Sequence, residues 1–239
     1  GKTFLLESLH RPIRLSAHAN YELADGLIDL SHNRWLGVME KNNKDFFVTF
    51  LLDIEDQSPE IIYKAQDFLG YPSLSESNEK LTWIEWESPD MPWESTKLMI
   101  ANFDDHGKIK DNIFLYGSKN KDKNISIFKP LWFKDKGIVF LDDSSGWWNL
   151  KFISDSDLFI SEYPKIQDLC PLEAECGMPQ WIYGLSTYAF ANDKILFISC
   201  SQGVWSLKII NPDGQLTSIN QPFEQLEYVA CCKDLAVII

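Results

Sequence analysis

The chain has 239 residues and a formal charge of −13; 45% of its residues are hydrophobic and 13% aromatic. That composition fits a globular chain large enough to bury a full core, and it excludes a disordered one. The acidity repels nucleic-acid phosphates and no basic stripe offsets it. No apolar run is long enough to cross a bilayer as a helix, and no secretory leader opens the chain. The expectations are no nucleic-acid partner, no membrane partner and a cytoplasmic location.

Taken in order, the chain repeats itself. Thr3 to Leu6 and Pro12 to Leu15 read as the last two strands of one unit. A first full unit follows, with strands around 26–29, 34–38, 46–50 and 60–63. Residues 55–68 contain Pro59 and lack a clean helical period, so no helix is expected there. A second unit has strands near 69–73, 80–86, 97–103 and 112–116. Its centre, Leu81 to Ala101, holds two β-branched and aromatic runs separated by a loop containing Pro89, Pro92 and Trp93, where proline forbids a regular ladder. A third unit covers 129–133, 137–141, 147–153 and Leu158-Phe159-Ile160, and a fourth covers 186–190, 194–198, 204–210 and 216–219. Phe223 to Ile239 reads as the first two strands of another.

The second strands of successive units are spaced by 46, 57, 57 and 40 residues, counted from Trp35, Leu81, Ile138, Ile195 and Leu235. Four strands per unit at this period is the pattern of β-propeller blades, which bury their faces by stacking. The expected fold is all-β: a β-propeller of four-stranded blades, about five blades' worth of sequence, with half-blades at both ends. A β-sandwich would show shorter, more even spacing. The chain starts without methionine and stops in an apolar run. It is therefore expected to be a single propeller domain, residues 1–239, cut from a longer protein. Half-blades at both ends could complete one blade together, or expose edges and form a homo-oligomer.

The five cysteines, Cys170, Cys176, Cys200, Cys231 and Cys232, match neither a disulfide framework nor a zinc site. Cys200 and the Cys231-Cys232 pair lie in or beside apolar runs and are expected to be buried structural thiols. His10, His18, His32 and His106 all fall in polar loop segments. The Asp142-Asp143-Ser144-Ser145-Gly146 stretch lacks the full calcium-loop pattern and reads as a turn. No metal site and no cofactor are expected. A carbohydrate-active propeller would need two carboxylates facing each other, from candidates Asp25, Asp29, Glu85, Asp142 and Asp143.

Particular residues carry a family resemblance. Leu81 to Trp86, then Ser88-Pro89-Asp90-Met91-Pro92-Trp93-Glu94 and Lys97-Leu98, resembles a segment of the propeller domain in prolyl-oligopeptidase-family serine peptidases. The nearest subgroup is the dipeptidyl-aminopeptidase/acylaminoacyl-peptidase-like one. Asp25-Gly26 with residues 33–38, Ser145 to Leu150, and residues 177–181 with 184–190 extend the resemblance along the chain. Ser88 and Asp90 depart from it, standing where the family has histidine and asparagine.

The resemblance implies a C-terminal α/β-hydrolase domain in the same protein, carrying a Ser nucleophile in a GxSxG elbow, then Asp and His. This chain has no GxSxG, and Gly184-Leu185-Ser186-Thr187-Tyr188 lacks the second glycine, so Ser186 reads as structural and no catalytic residue is expected here. The implied role is a non-catalytic propeller that gates substrate access for a peptide and docks the hydrolase domain. The loop Glu85 to Glu94 is the candidate gate. Glu85, Glu87, Asp90 and Glu94 are its carboxylates, suited to a peptide's free amine, and Trp93 is its aromatic. The rival reading is a free-standing β-propeller serving as a protein-interaction module.

Overall fold

The structure is a computed structural model that describes residues 4–5, 12–17, 20–118, 124–159, 164–233 and 235–239. Among the described residues there is no α-helix, and the regular structure consists of strands with two short 3-10 turns. A first hairpin, β1 (Phe4–Leu5) and β2 (Ile13–Arg14), precedes four antiparallel sheets of four strands each. The first blade is β3 (Glu22–Asp29), β4 (Arg34–Glu40), β5 (Asp45–Leu51) and β6 (Glu60–Lys64). The second is β7 (Phe68–Leu74), β8 (Lys80–Trp86), β9 (Lys97–Phe103) and β10 (Ile109–Gly117). The third is β11 (Ile127–Trp132), β12 (Gly137–Asp142), β13 (Asn149–Ser154) and β14 (Gln167–Asp168). The fourth is β15 (Tyr188–Ala191), β16 (Lys194–Ser201), β17 (Val204–Ile210) and β18 (Leu216–Ile219). A last hairpin, β19 (Val229–Cys232) and β20 (Leu235–Ile238), follows.

Within each blade the strands pair in chain order, as propeller blades do. The architecture is thus a β-propeller with four complete blades and a two-stranded sheet at each end. The two end hairpins are separate sheets and, among the described residues, do not join into one blade.

The core lies between blades. Leu36, Val38 and Phe47 of the first blade pack with Leu69, Leu81, Trp83 and Met99 of the second. A larger cluster runs from Ile84 and Ile100 through Phe128, Phe140 and Ile153 to Tyr188 and Phe197, joining blades two to four. Polar groups also cross the seams: Trp132 Nε1 donates to Ser73 O at 2.9 Å, and Tyr188 Oη donates to Val139 O at 2.8 Å. Second strands are covered on both faces, and every residue of β12 is buried.

The first strands β3, β7 and β11 are where neighbouring blades approach along the inside. Each is interrupted at the same place. The ladder shifts register between Ala24 and Leu27, Gly70 and Ser73, and Phe128 and Leu131. At each shift one residue takes a left-handed conformation: Asp25 (φ 47°), Tyr71 (φ 55°) and Lys129 (φ 49°). These are β-bulges, which re-aim side chains. Pro72 and Pro130, which cannot donate to a ladder, follow two of the three.

Two sequence expectations need correction. The fourth strand of the third blade is not Leu158-Phe159-Ile160. Leu158 and Phe159 follow a 3-10 turn at Asp155–Asp157, Ile160 lies outside the described residues, and β14 pairs with Lys151 and Phe152 instead. The later cysteines are also less buried than expected. Cys170 and Cys176 are buried, Cys200 and Cys231 are half-buried, and Cys232 is exposed; all five thiols are free.

Candidate functional site

In a meander of antiparallel strands, connections from second to third strand leave at the same end as connections from one blade to the next. The loops 87–96 and 169–187 therefore share one face of the propeller. The first joins β8 to β9, and the second leads into β15.

The loop 87–96 is held by its own backbone and by its neighbours. Asp90 N–H donates to Glu87 O at 3.0 Å, and Glu94 N–H to Met91 O at 2.9 Å. Glu94 Oε2 reaches back to accept Met91 N–H at 2.8 Å, half of a capping-box arrangement. Ser126 Oγ donates to Pro92 O at 2.9 Å, tying the loop to the third blade.

Two cavities open beside this loop. The smaller, about 160 Å³, is an acid cleft lined by Glu85, Glu87, Asp90 and Lys97, with Trp86 as one wall. Glu87 is paired with Lys97. Glu85 is buried and its Oε1 accepts two bonds, from Tyr63 Oη at 2.7 Å and from Trp83 Nε1 at 2.8 Å. Among the described residues no donor meets the Asp90 carboxylate, which is half-buried. Three carboxylates against one ammonium leave the cleft negative.

The larger of the two, about 380 Å³, also has Trp86 in its lining and is built largely from aromatic rings. Phe68 stacks on Trp86 with centroids 5.7 Å apart and planes 22° apart. Trp93 meets Trp181 at 4.4 Å, and Tyr71 meets Tyr183 at 6.1 Å. The last two residues also lock the segments together: Tyr71 Oη donates to Ile182 O at 3.1 Å, and Tyr183 Oη to Leu69 O at 3.3 Å. Burial pushes both tyrosine hydroxyls above their ordinary range. Gln180 anchors the segment through Nε2 to Ile127 O at 3.0 Å, and its buried Oε1 has no partner among the described residues.

Next to Tyr71, two bulge residues face each other's field. Burial raises the Asp25 carboxyl and lowers the Lys129 ammonium from their usual values, and each opposes the other's shift by opposite charge. Lys129 Nζ also sits 5.4 Å from the centre of the Tyr71 ring.

Of the five residues expected at the gate, the fold brings Glu85, Glu87 and Asp90 to one cleft. Trp93 turns into the aromatic cavity, and Glu94 caps the loop. The segment Gln180 to Tyr183 escaped the sequence reading as a site element. Its signal was an apolar run, Trp181-Ile182-Tyr183, stranded between turn residues, with Trp181 71% and Ile182 65% exposed.

Of the carboxylates considered for sugar chemistry, Asp29, Asp142 and Asp143 do not line the cleft. Asp29 is buried against Arg34 Nε and His32 Nδ1, both at 2.8 Å. Asp142 accepts from Tyr116 Oη at 2.7 Å and lies 3.5 Å from Lys151 Nζ. Asp143 accepts Ser126 N–H at 2.7 Å. The 142–146 stretch is a turn, closed by Gly146 N–H to Asp143 O at 2.8 Å. Ser186 is buried and donates to Tyr188 O at 2.7 Å. His10 and His18 lie outside the described residues, and His106 is an exposed loop residue. Among the described residues no group of three potential metal ligands occurs, and no helix is long and apolar enough to cross a membrane.

No protein-family model matches the sequence, and no curated protein matches it. Solved structures do match the fold. A puromycin-hydrolysing peptidase of Mycobacterium tuberculosis superposes with a TM-score of 0.86 at 22% identity, over 98% of this chain and 36% of that one. A puromycin hydrolase superposes at 0.84 with 23% identity, over 95% and 36%. Prolyl oligopeptidase B from Galerina marginata, bound to a 35mer hydrolysis and macrocyclization substrate, gives 0.68 at 14% identity, over 95% and 31%. The chain thus spans about a third of the length of each. At these identities the likeness is one of fold, and it includes the prolyl oligopeptidases to which the sequence motifs point.

Proposed function

We propose that this chain is the propeller portion of a larger serine peptidase or related hydrolase. Alone it is non-catalytic. In the whole protein it gates access of peptide substrates and docks an α/β-hydrolase domain C-terminal to it. The observation that carries this reading is the asymmetry of the likeness: nearly all of this chain is covered, but only about a third of the peptidases it resembles. The negative cleft beside loop 87–96 supports a role for Glu85, Glu87 and Asp90 in meeting a substrate's free amine. Trp93 and Glu94 serve that role indirectly, one shaping the neighbouring cavity and the other holding the loop.

The test is a parallel assay of the whole gene product and of residues 1–239 on aminoacyl and peptidyl amides. The whole protein is expected to hydrolyse them and this chain is expected to be inert. Hydrolysis by residues 1–239 alone would overturn the reading.

A further inference from the structure

Two of the five free thiols stand at the neck of one loop. β14 pairs with β13 through Asp168, and the pairing runs one residue further, with Leu169 N–H donating to Leu150 O at 3.0 Å. The chain then leaves the strand at Cys170 and returns at Cys176, whose N–H donates to Trp148 O at 2.8 Å. The two accepting carbonyls belong to residues two apart on one strand, so the neck is about 7 Å wide. Asn149, between them, holds the loop from inside. Its Oδ1 accepts Leu172 N–H at 2.6 Å, and its Nδ2 donates to Ala174 O at 3.0 Å. Glu175 adds a clamp, exchanging backbone bonds with Cys200 at 2.9 and 2.8 Å.

Both neck thiols turn into the core cluster that joins blades two to four, Cys170 at 7% and Cys176 at 2% exposure. Burial raises both from their ordinary value, and Cys170 raises Cys176 further, so each lies in the other's field. The Lys208 ammonium opposes the rise in both. Lys208 stands across from Phe197 in the register of β16 and β17, and Phe197 belongs to the same core cluster. A cation there favours the thiolate, the form that attacks a disulfide. A disulfide spans Cα atoms about 4.4–6.8 Å apart, a reach matched to this neck. Cys231 and Cys232 differ: they are consecutive on β19, where neighbouring side chains point to opposite faces.

We propose that Cys170 and Cys176 form a redox modification site that closes to an intramolecular disulfide, with a low-molecular-weight disulfide such as oxidised glutathione as the oxidant. Cys170 is the more exposed of the two and meets the oxidant first. Its thiolate attacks one sulfur, breaks the oxidant's S–S bond and releases one small thiol. The Cys176 thiolate then attacks Cys170 Sγ and releases the second. The two protein thiols give up two protons and two electrons, and the oxidant carries both away as two small thiols. Closure fixes the start of the segment that carries Gln180 to Tyr183 to the aromatic cavity. A reducing compartment keeps the loop open and an oxidising one closes it.

The test equilibrates the 239-residue chain with oxidised glutathione, once folded and once during refolding from urea. Remaining thiols are then alkylated and tryptic peptides are mapped by mass. Residues 166–194 form one such peptide, with Cys170 and Cys176 as its cysteines. It is expected to lose the mass of two hydrogens and to carry no alkyl group. Cys200 falls in peptide 195–208 and Cys231-Cys232 in 209–233, so a bond to any of these would join two peptides. Closing the seven-residue loop 170–176 is expected to raise Tm by about 5–9 °C over the reduced chain. Cys176→Ala is expected to lose that gain and to keep glutathione on Cys170. The map of the unsubstituted chain decides the matter if the variant does not fold. Two alkylated thiols in peptide 166–194 after both treatments would overturn the proposal. So would a bond from either cysteine to Cys200, Cys231 or Cys232, or a Tm gain that persists in folded Cys176→Ala.

Discussion

Replacing Glu85 separates a structural carboxylate from a purely ligand-facing one. Its Oε1 accepts from Trp83 Nε1, on a fully buried indole, and from the half-buried Tyr63 hydroxyl. Trp83 in turn packs edge-on against Phe47 at 5.6 Å and Tyr63 at 5.2 Å, at the seam of the first two blades. Glu85→Ala leaves the indole N–H without a partner or water, a loss of about 1–3 kcal/mol. Losing the charged bond from Tyr63 adds about 1–2 kcal/mol, since that hydroxyl can recover some hydration. The expected destabilisation is about 3 kcal/mol, or about 6–12 °C in Tm for a chain of this length. Glu85→Gln keeps an acceptor in place and is expected to cost about 1 kcal/mol or less. Urea melts at neutral pH measure both. A Glu85→Ala variant within about 1 kcal/mol of the parent would refute the structural assignment. Equal losses in both variants would show that the charge, rather than the hydrogen bonds, holds the seam.

Three further outcomes follow from the fold. Burial pushes the Asp45 carboxyl up to about 6 against an ordinary value of 3.8, with Leu69 N–H at 3.0 Å partly opposing the shift. The folded chain therefore holds this proton between about pH 4 and pH 6 while the unfolded chain releases it, so stability falls as pH rises through that window. Asp45→Asn is expected to be near neutral at pH 4 and stabilising by about 1–3 kcal/mol at pH 7.5, read from urea midpoints across pH; a pH-independent difference would contradict this. Gly37→Ala places a Cβ within 2.2 Å of the Trp35 ring and is expected to cost about 1–3 kcal/mol in thermal melts, an effect that Trp35→Leu in the same chain should relieve. Leu235 and Val237 of β20 and the adjoining Ile239 are 76%, 60% and 69% exposed. Leu235→Lys with Val237→Lys is expected to reduce concentration-dependent self-association in light scattering; an unchanged mass would show that this edge is not the sticky one.

The blades were legible because stacking buries both faces of their inner strands, so β4, β8, β12 and β16 appear as apolar runs 46 to 57 residues apart. Outer strands carry a weaker signal, and that of the third blade misleads. β14 is two exposed residues, Gln167 and Asp168, whereas Leu158 is buried in the core cluster that joins blades two to four, which drew the strand assignment to the wrong place. The bulges at Asp25, Tyr71 and Lys129 had a local cue in the glycine or proline that follows each, but their shared position emerges only when the blades are superposed in register. At the site, sequence identified acids but not their commitments. Glu85 and Glu94 look like Asp90 in a string of letters, yet one braces a blade seam and one caps a turn. The aromatic cavity joins the second blade to the loop before the fourth, and nothing in the local pattern of either segment announces the other.

The most direct test of the central claim is the coding sequence downstream of Ile239 in its native reading frame. The account predicts a continuation into further strands and then an α/β-hydrolase domain, with a GxSxG elbow followed by Asp and His. A frame that closes within a few strands, with no such elbow, would contradict it and leave a binding propeller in place of a peptidase part.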